Sequence, residues 1–144
     1  MSLNQSYDDD NVFAKIIRGE LPKVTVHEDD HILIFMDVFP QSEGHMLVIS
    51  KMAKSVNITD IDPEELSRLI GGVQLASQAA VKALDPDGIR VVQFNGEPAG
   101  QTVFHTHFHV IPVYKDQGMK PHGAEAAPTD RLEAMAERIR NGLS

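Results

Sequence analysis

Histidines occupy every second position from 105 to 109 in the stretch Gly100-Gln101-Thr102-Val103-Phe104-His105-Thr106-His107-Phe108-His109-Val110-Ile111-Pro112. This alternation is the strongest indication of the fold. Successive side chains of a β-strand point to opposite faces, so residues two apart share one face. Threonine, phenylalanine and valine around the histidines favour a strand over a helix. We therefore predict a strand from about Thr102 to Val113. Its core face is expected to carry Phe104, Phe108 and Val110.

Three imidazoles on one face of a strand favour chemistry by neutral rings. Their backbones are expected about 6.6–6.8 Å apart, and two charged rings at that distance would repel by roughly 2.5 kcal/mol at an effective dielectric near 20. That repulsion is equivalent to nearly two pKa units, so the row should be mostly neutral at pH 7. A neutral imidazole carries one lone pair and one N–H, so it can act as nucleophile, acceptor or donor.

A metal site is the competing interpretation of the same row. A His-x-His pair on a strand can offer two ligands, and His45 is the obvious candidate for a further one. The outer two histidines, however, are roughly 13 Å apart along a strand, too far to close on one ion with Zn–N bonds of about 2.0–2.1 Å. We therefore expect no metal and no other cofactor.

The composition limits the class of protein. The chain has 144 residues with a net charge of −8 and no cysteine. This length fits one domain, and the negative charge argues against a nucleic-acid-binding surface. The absence of cysteine excludes disulfides and thiolate catalysis and makes the cytoplasm the expected compartment. The longest apolar run, Ile32 to Met36, is far shorter than the roughly 20 residues that span a bilayer, so no membrane association is expected.

The remaining patterns predict an α+β domain, an antiparallel sheet covered mainly on one side by helices. Residues 1–10 are expected to be a disordered lead-in, residues 11–114 the domain and residues 115–144 a tail with a short helix. Asn11 should cap a short first helix, and Thr129 or Asp130 the last one. The main predicted elements are strands at Val24–Glu28, His31–Asp37, Met46–Ser50 and Ile89–Phe94, and a long helix at Pro63–Leu84 capped by Asp62.

The loop before the histidines suggests an anion site. Gly100, Gln101 and Thr102 can present backbone N–H groups and a hydroxyl to a phosphate oxygen, as an anion-binding nest does. The remaining histidines, His27, His31 and His122, are interpreted as ordinary polar residues, because histidine is of intermediate burial in proteins.

The histidine row resembles the signature of the histidine-triad (HIT) family, His-x-His-x-His followed by two hydrophobic residues. The resemblance covers roughly residues 10 to 114 and is closest to the Hint-like branch. It includes the segments Asp10–Pro22, Phe35–Pro40, Gly44–Ile49, Asn95–Glu97 and Gly100–Val103. It implies the HIT fold, with a five-stranded antiparallel sheet, one long helix and shorter terminal helices, usually paired as a homodimer.

The same resemblance implies a catalytic role for each histidine. His107 would attack the α-phosphorus of a purine nucleotide conjugate, and water would release the covalent nucleotidyl-histidine. His109 would contact the α-phosphate and help to protonate the leaving group. His105 and His45 would orient and polarise the row.

The resemblance also implies a nucleotide-binding set. Asp37 would accept from the two ribose hydroxyls, and Phe13 and Phe35 would sandwich the base, although both could be core residues alone. The matching phosphate and sugar positions are Asn95, Gly100, Gln101 and Thr102.

Some members of the family carry a structural zinc site with cysteines near the N-terminus, and residues 11–14 offer none, so no zinc is expected. The implied activity is hydrolysis of AMP or GMP phosphoramidates. The alternatives are a dinucleoside polyphosphate hydrolase of the Fhit-like branch and a nucleotide-binding module with vestigial catalysis.

Overall fold

A computed structural model describes residues 2–120 and 125–143, so the prediction for His122 lies outside the described residues. Five strands form one antiparallel sheet in the order β1-β2-β3-β5-β4. The strands are β1 (Thr25–Glu28), β2 (Ile32–Met36), β3 (Met46–Ser50), β4 (Gly88–Val92) and β5 (His107–Val113). The helices are α1 (Val12–Ile17), α2 (Pro63–Leu84) and α3 (Thr129–Arg140). The predicted fold class is confirmed.

Helix α2 begins and ends where its sequence signals predict. The carboxylate of Asp62 accepts hydrogen bonds from the N–H groups of Glu64 and Glu65, and Pro63 occupies the first turn, where its missing N–H costs nothing. Asp85 ends the helix in a left-handed conformation with φ of 46°. The predicted N-cap of α1 is confirmed as well, because the Asn11 side chain accepts from the N–H of Ala14.

The sheet separates two cores. Alternate residues of β2, β3 and β5 pack against α2 and α3 on one face, as Val48, Phe108 and Val110 do. The intervening residues of β2 and β3 pack against α1 on the other face. His107 and His109 alternate with Phe108 and Val110 along β5, so they lie on the α1 side. This burial pattern places the histidines beside the smaller of the two cores.

Strand β5 is shorter than predicted, which corrects the picture of three histidines on one strand. It begins at His107, because the preceding residue turns away from the sheet. The N–H of Thr106 donates to the Ser55 carbonyl at 2.9 Å, and the two side-chain hydroxyls lie 2.7 Å apart. His105 therefore precedes the strand. Phe104, expected in the core, is only partly buried and belongs to neither core.

Both ends of the chain pack onto the domain. Residues 1–10 were expected to be a disordered lead-in, but a short 3-10 turn forms at Ser2–Asn4 and the Tyr7 hydroxyl is hydrogen-bonded to the His105 ring. The tail folds back along the loop between β2 and β3, where the Ala127 N–H donates to the Val38 carbonyl at 2.9 Å. Helix α3 then joins the larger core. Among the described residues, no helix is both long enough and apolar enough to cross a membrane.

Candidate active site

The His107 ring is held by a main-chain carbonyl two residues earlier in the chain. Its Nδ1 lies 2.7 Å from the carbonyl oxygen of His105, and a carbonyl can only accept, so Nδ1 carries the proton. The lone pair of the neutral ring is therefore on Nε2. The ring is 5 % exposed and is packed edge-on to Phe13, with centroids 4.9 Å apart. This is the geometry that an imidazole nucleophile requires.

His105 is bonded at both ring nitrogens. Its Nε2 lies 3.0 Å from the carbonyl oxygen of Ser50, and its Nδ1 lies 2.7 Å from the hydroxyl of Tyr7. Burial, with a smaller contribution from the neighbouring His107, lowers the pKa of His105 to about 4 against the opposing effect of the Ser50 carbonyl. His105 is thus neutral at pH 7, and the main cause is burial, with repulsion between the rings a smaller one.

His45 and His109 form a second hydrogen-bonded pair. The backbone N–H of Gln41 donates to His45 Nδ1 at 3.0 Å, which leaves the ring proton of neutral His45 on Nε2. That Nε2 lies 2.9 Å from His109 Nδ1, so His109 accepts there and carries its own proton on Nε2. The rings of His107 and His109 have centroids 5.2 Å apart. A proton donor therefore stands beside the ring that offers a lone pair.

Asp37 follows β2 and faces this pair. One carboxylate oxygen accepts from the N–H of Phe39 at 2.8 Å, and the other lies 3.4 Å from His45 Nε2 and 3.9 Å from His109 Nδ1. The carboxylate is 4 % exposed and favours positive charge on either imidazole. The resemblance implied a ribose ligand here; the structure adds a contact with the histidines that was not anticipated.

The two predicted base-sandwiching phenylalanines are both core residues. Phe13 and Phe35 are 6 % and 4 % exposed and pack edge to face, with ring centroids 5.6 Å apart. Phe13 also borders His105 at 6.2 Å. Phe13 lies beside the nucleophile and Phe35 packs against Phe13, and contact of either ring with the base stays a prediction.

The loop before the histidines does not present its backbone N–H groups as an open anion-binding nest would. The N–H groups of Gly100 and Gln101 close a 3-10 turn on the carbonyls of Glu97 and Gly96, so they do not face a ligand. This corrects the expected anion site at those two N–H groups. Gly100 adopts a φ of +111°, where an added Cβ would lie 3.2 Å from the Phe94 ring. Thr102 is exposed.

Two predicted phosphate or sugar ligands brace this loop. The Gln101 amide is 1 % exposed, accepts from the Gly96 N–H and donates to the carbonyls of Val56 and Val103. The Asn95 side chain accepts from the N–H of Ile58 and pairs with the Gln93 amide. Their observed contacts are therefore structural, and ligand contact by either one stays a prediction.

Within residues 2–120 and 125–143, one set of side chains could hold a metal ion. Asp37, His45 and His109 each offer one ligand atom, and these atoms lie within 4.8 Å of one another. Only His109 of the histidine row belongs to this set, whereas the metal interpretation of the sequence used two histidines of the row together with His45. A cation would have to replace the proton between His45 and His109, which are 2.9 Å apart. The donor set fits a divalent ion, in competition with the hydrogen bond.

Two contact residues of the site were missed from the sequence. Tyr7 lies 98 positions from His105, in a segment with no element pattern, and Ser50 acts through its carbonyl, which any residue possesses. The single available signal was an aromatic residue in an otherwise polar lead-in.

Fold and site together define an α+β domain with a buried, hydrogen-bonded histidine cluster at the start of an interior strand. The family model described as HIT domain matches residues 18–116. The chain belongs to the HIT family.

The chain is similar in sequence to the following three proteins. A Hit-like protein from Bartonella henselae, described as involved in cell-cycle regulation and crystallised with an unknown ligand, is 46% identical with a TM-score of 0.92, over 96% of this chain and 100% of that one. An adenylylsulfatase from Arabidopsis thaliana is 39% identical over 76% of this chain, which spans 55% of that protein. A zinc-bound histidine triad protein from Mycobacterium smegmatis is 32% identical with a TM-score of 0.81, over 93% of each chain.

Proposed function

We propose that this protein hydrolyses purine nucleotide conjugates at the α-phosphate through a covalent nucleotidyl-histidine at His107, with AMP and GMP phosphoramidates as substrates. The observation that carries the proposal is the 2.7 Å hydrogen bond from His107 Nδ1 to the His105 carbonyl. It leaves the Nε2 lone pair as the attacking group, and His109 carries a proton on the neighbouring ring. Family membership supports the same assignment.

The reaction divides into two displacements. In the first, His107 Nε2 forms a bond to the α-phosphorus while the bond to the leaving amine breaks; the His45–His109 pair enters this step with one extra proton, gives the His109 Nε2 proton to that amine and becomes neutral. In the second, water attacks the phosphorus, the histidine–phosphorus bond breaks, and a water proton returns to His109. Asp37 stabilises the positive charge that this pair carries before the first displacement and regains in the second, because an opposite charge about 4 Å away favours the protonated imidazole.

The nucleotide side of the substrate is assigned to the other predicted residues. Asp37 would accept from the ribose hydroxyls, Phe13 and Phe35 would border the base, and Thr102 would offer its hydroxyl to a phosphate oxygen. Asn95, Gly100 and Gln101 would shape the loop beside the phosphate. Support comes from the contact of the Phe13 ring with the His107 ring and from the exposure of Thr102.

A second leaving group is favoured by one relative. The adenylylsulfatase from Arabidopsis thaliana shares 39% identity with this chain, and by its name acts on an adenylyl–sulfate bond. The same two displacements would cleave that anhydride, with sulfate leaving instead of an amine. A dinucleoside polyphosphate is the third substrate to compare, since it differs only beyond the α-phosphate.

The deciding experiment traps the intermediate. Wild-type protein is mixed with an AMP phosphoramidate, quenched without acid and analysed by mass spectrometry; an added AMP is expected on the peptide that contains His107. The variant H107N should bind AMP but form no adduct and show no turnover, whereas H31N, at an exposed position in the turn between β1 and β2, should behave as wild type. Nucleotide binding without turnover in the wild type would instead indicate a module with vestigial catalysis.

Metal removal separates nucleotidyl transfer from a metal mechanism. Preorganised donors can stabilise the phosphate charge without an ion, whereas a metal enzyme would generate its nucleophile from bound water. We expect thorough EDTA treatment to leave hydrolysis essentially intact. Activity lost to chelation and restored by zinc, with no adduct trapped, would contradict the proposal and favour the Asp37, His45 and His109 metal set.

We further propose that the protein acts in the cytoplasm as a homodimer, the state that the family resemblance implies. Strand β4 is an edge strand, and its Val91 is 49% exposed. On α2, Ile70 and Val81 lie on one outer stripe and are 46% and 54% exposed. An unpaired strand edge beside apolar side chains supports pairing through this side. Analytical ultracentrifugation at micromolar concentration tests it, and a monomer would contradict it.

A further inference from the structure

We infer that Tyr7 is a positioning residue for the nucleophile: its hydroxyl fixes the His105 imidazole, and the His105 carbonyl in turn fixes the tautomer and orientation of His107. The catalytic part of this inference rests on the proposed function. The structural part concerns hydrogen bonds and is independent of it.

The Tyr7 hydroxyl must be the donor in its bond to His105. The Ser50 carbonyl can only accept, so His105 Nε2 carries the ring proton and Nδ1 carries the lone pair. Tyr7 Oη lies 2.7 Å from that Nδ1. Because His105 is 2 % exposed, this lone pair has little access to water, and the tyrosine satisfies a buried acceptor. Each ring nitrogen of His105 thus has one definite partner.

Fixing this ring also fixes the peptide that follows it. The His105 carbonyl is the acceptor for His107 Nδ1, two residues along the chain. The same residue is therefore tied through its side chain to Tyr7 and Ser50 and through its main chain to the nucleophile. Phe13 packs edge-on to both imidazoles, with centroids at 6.2 Å and 4.9 Å. The two hydrogen bonds of the ring oppose a displacement of His105 as a whole, and such a displacement would move the carbonyl that holds the His107 proton.

The lead-in that carries Tyr7 is anchored by its own contacts. The Asp9 carboxylate lies 3.0 Å from Lys54 Nζ, and the Asp9 carbonyl accepts from the Arg18 guanidinium at 2.6 Å. The Asn11 amide donates to the Asp8 carbonyl at 2.7 Å. These contacts fix the path of the chain immediately after Tyr7. Tyr7 thus contacts His105 from a segment whose position is itself fixed by contacts with the domain.

The test replaces one hydroxyl and uses the chain's other tyrosine as the control. Y7F keeps the ring and removes the donor. Y114F removes a hydroxyl that donates to the Glu43 carbonyl at 3.0 Å, away from the row. Full-length wild type and both variants are compared by ¹⁵N NMR of the histidine rings and by steady-state kinetics with an AMP phosphoramidate. Melting temperatures check that both variants fold.

In Y7F we expect the His105 Nδ1 resonance to move to the position of an unbonded acceptor and the His107 Nδ1–H to exchange with solvent at least about tenfold faster. We expect kcat to fall by about 2- to 12-fold, the equivalent of one ordinary hydrogen bond, with KM changed less than about twofold. Y114F should match the wild type in all three measurements.

The outcomes separate this inference from the proposed function. Unchanged ring resonances in Y7F, or a wild-type kcat in an active Y7F enzyme, would overturn the inference. If the wild type itself shows no turnover, the proposed function fails, and the NMR comparison alone then decides whether Tyr7 positions the row.

Discussion

The Nε2 of His45 lies 2.9 Å from the Nδ1 of His109, although the two residues are 64 positions apart. Strands β3 and β5 are neighbours, and His45 directly precedes β3 while His109 sits within β5. Because the Gln41 N–H already occupies His45 Nδ1, the proton between the two rings belongs to His45, and His109 must present its own proton on Nε2. This relationship supports the proposed role of His109 as proton donor.

That role predicts a dependence on the leaving group. H109A should slow hydrolysis of an AMP phosphoramidate by about 10²- to 10⁴-fold, because an amine leaves only with a proton. Adenylyl sulfate should be affected much less, because sulfate is stable as an anion. Steady-state kinetics on both substrates would show it. Equal losses on the two substrates would mean that His109 acts by contact with the phosphate and not as the acid.

Asp37 is predicted to contribute to sugar recognition. In D37A, binding of nucleotides should weaken relative to their 2′,3′-dideoxy analogues, because a buried acceptor bonded to hydroxyls discriminates against ligands that lack them. Calorimetry with AMP and dideoxy-AMP measures the ratio. An unchanged ratio together with a lowered kcat would show that Asp37 acts only through its 3.4 Å contact with His45.

Stability should fall on mild acidification because of His105. Its pKa is about 4 in the folded protein against 6.5 for the free side chain, so between these values the unfolded chain binds a proton that the folded chain does not. This stabilisation is complete above pH 6.5 and is lost as the pH falls towards 4, by about 3 kcal/mol in all. Urea unfolding at pH 7 and pH 4.5 measures the loss. The free energy of unfolding should change more steeply with pH in the wild type than in H105Q, by the equivalent of up to one bound proton. Identical slopes in the two proteins would exclude His105 as the cause.

Two adjacent glycines of α2 should respond oppositely to alanine. A Cβ at Gly72 would lie 2.6 Å from Ile32 Cδ1 and 3.0 Å from Val48 Cγ1, whereas a Cβ at Gly71 would meet nothing within 4 Å. G72A should therefore destabilise by about 1–3 kcal/mol through overpacking against the sheet. G71A should stabilise by about 0.5–1 kcal/mol through helix propensity. Thermal unfolding distinguishes them, and stabilisation by both would show that α2 does not approach the sheet closely at Gly72.

Most elements could be predicted from local pattern. The bounds of α2 and β3 agree with the prediction, because a cap, a first-turn proline and helical periodicity, or a short apolar run between turns, are local properties. The start of β5 could not be predicted in this way. Threonine at 106 suits a strand, but its N–H is taken by Ser55, which lies on a separate loop.

The sequence by itself determined the α+β class, the HIT resemblance and the presence of alternating histidines, since each depends on residue type and spacing along one segment. Only the tertiary structure decided which nitrogen of each imidazole carries its proton. Those assignments depend on partners at Tyr7, Gln41 and Ser50, and the first of these lies 98 positions from the ring it contacts. A hydrogen bond forms only where two groups come close in space. Which groups come close depends on the paths of the intervening loops, and local periodicity does not encode those paths.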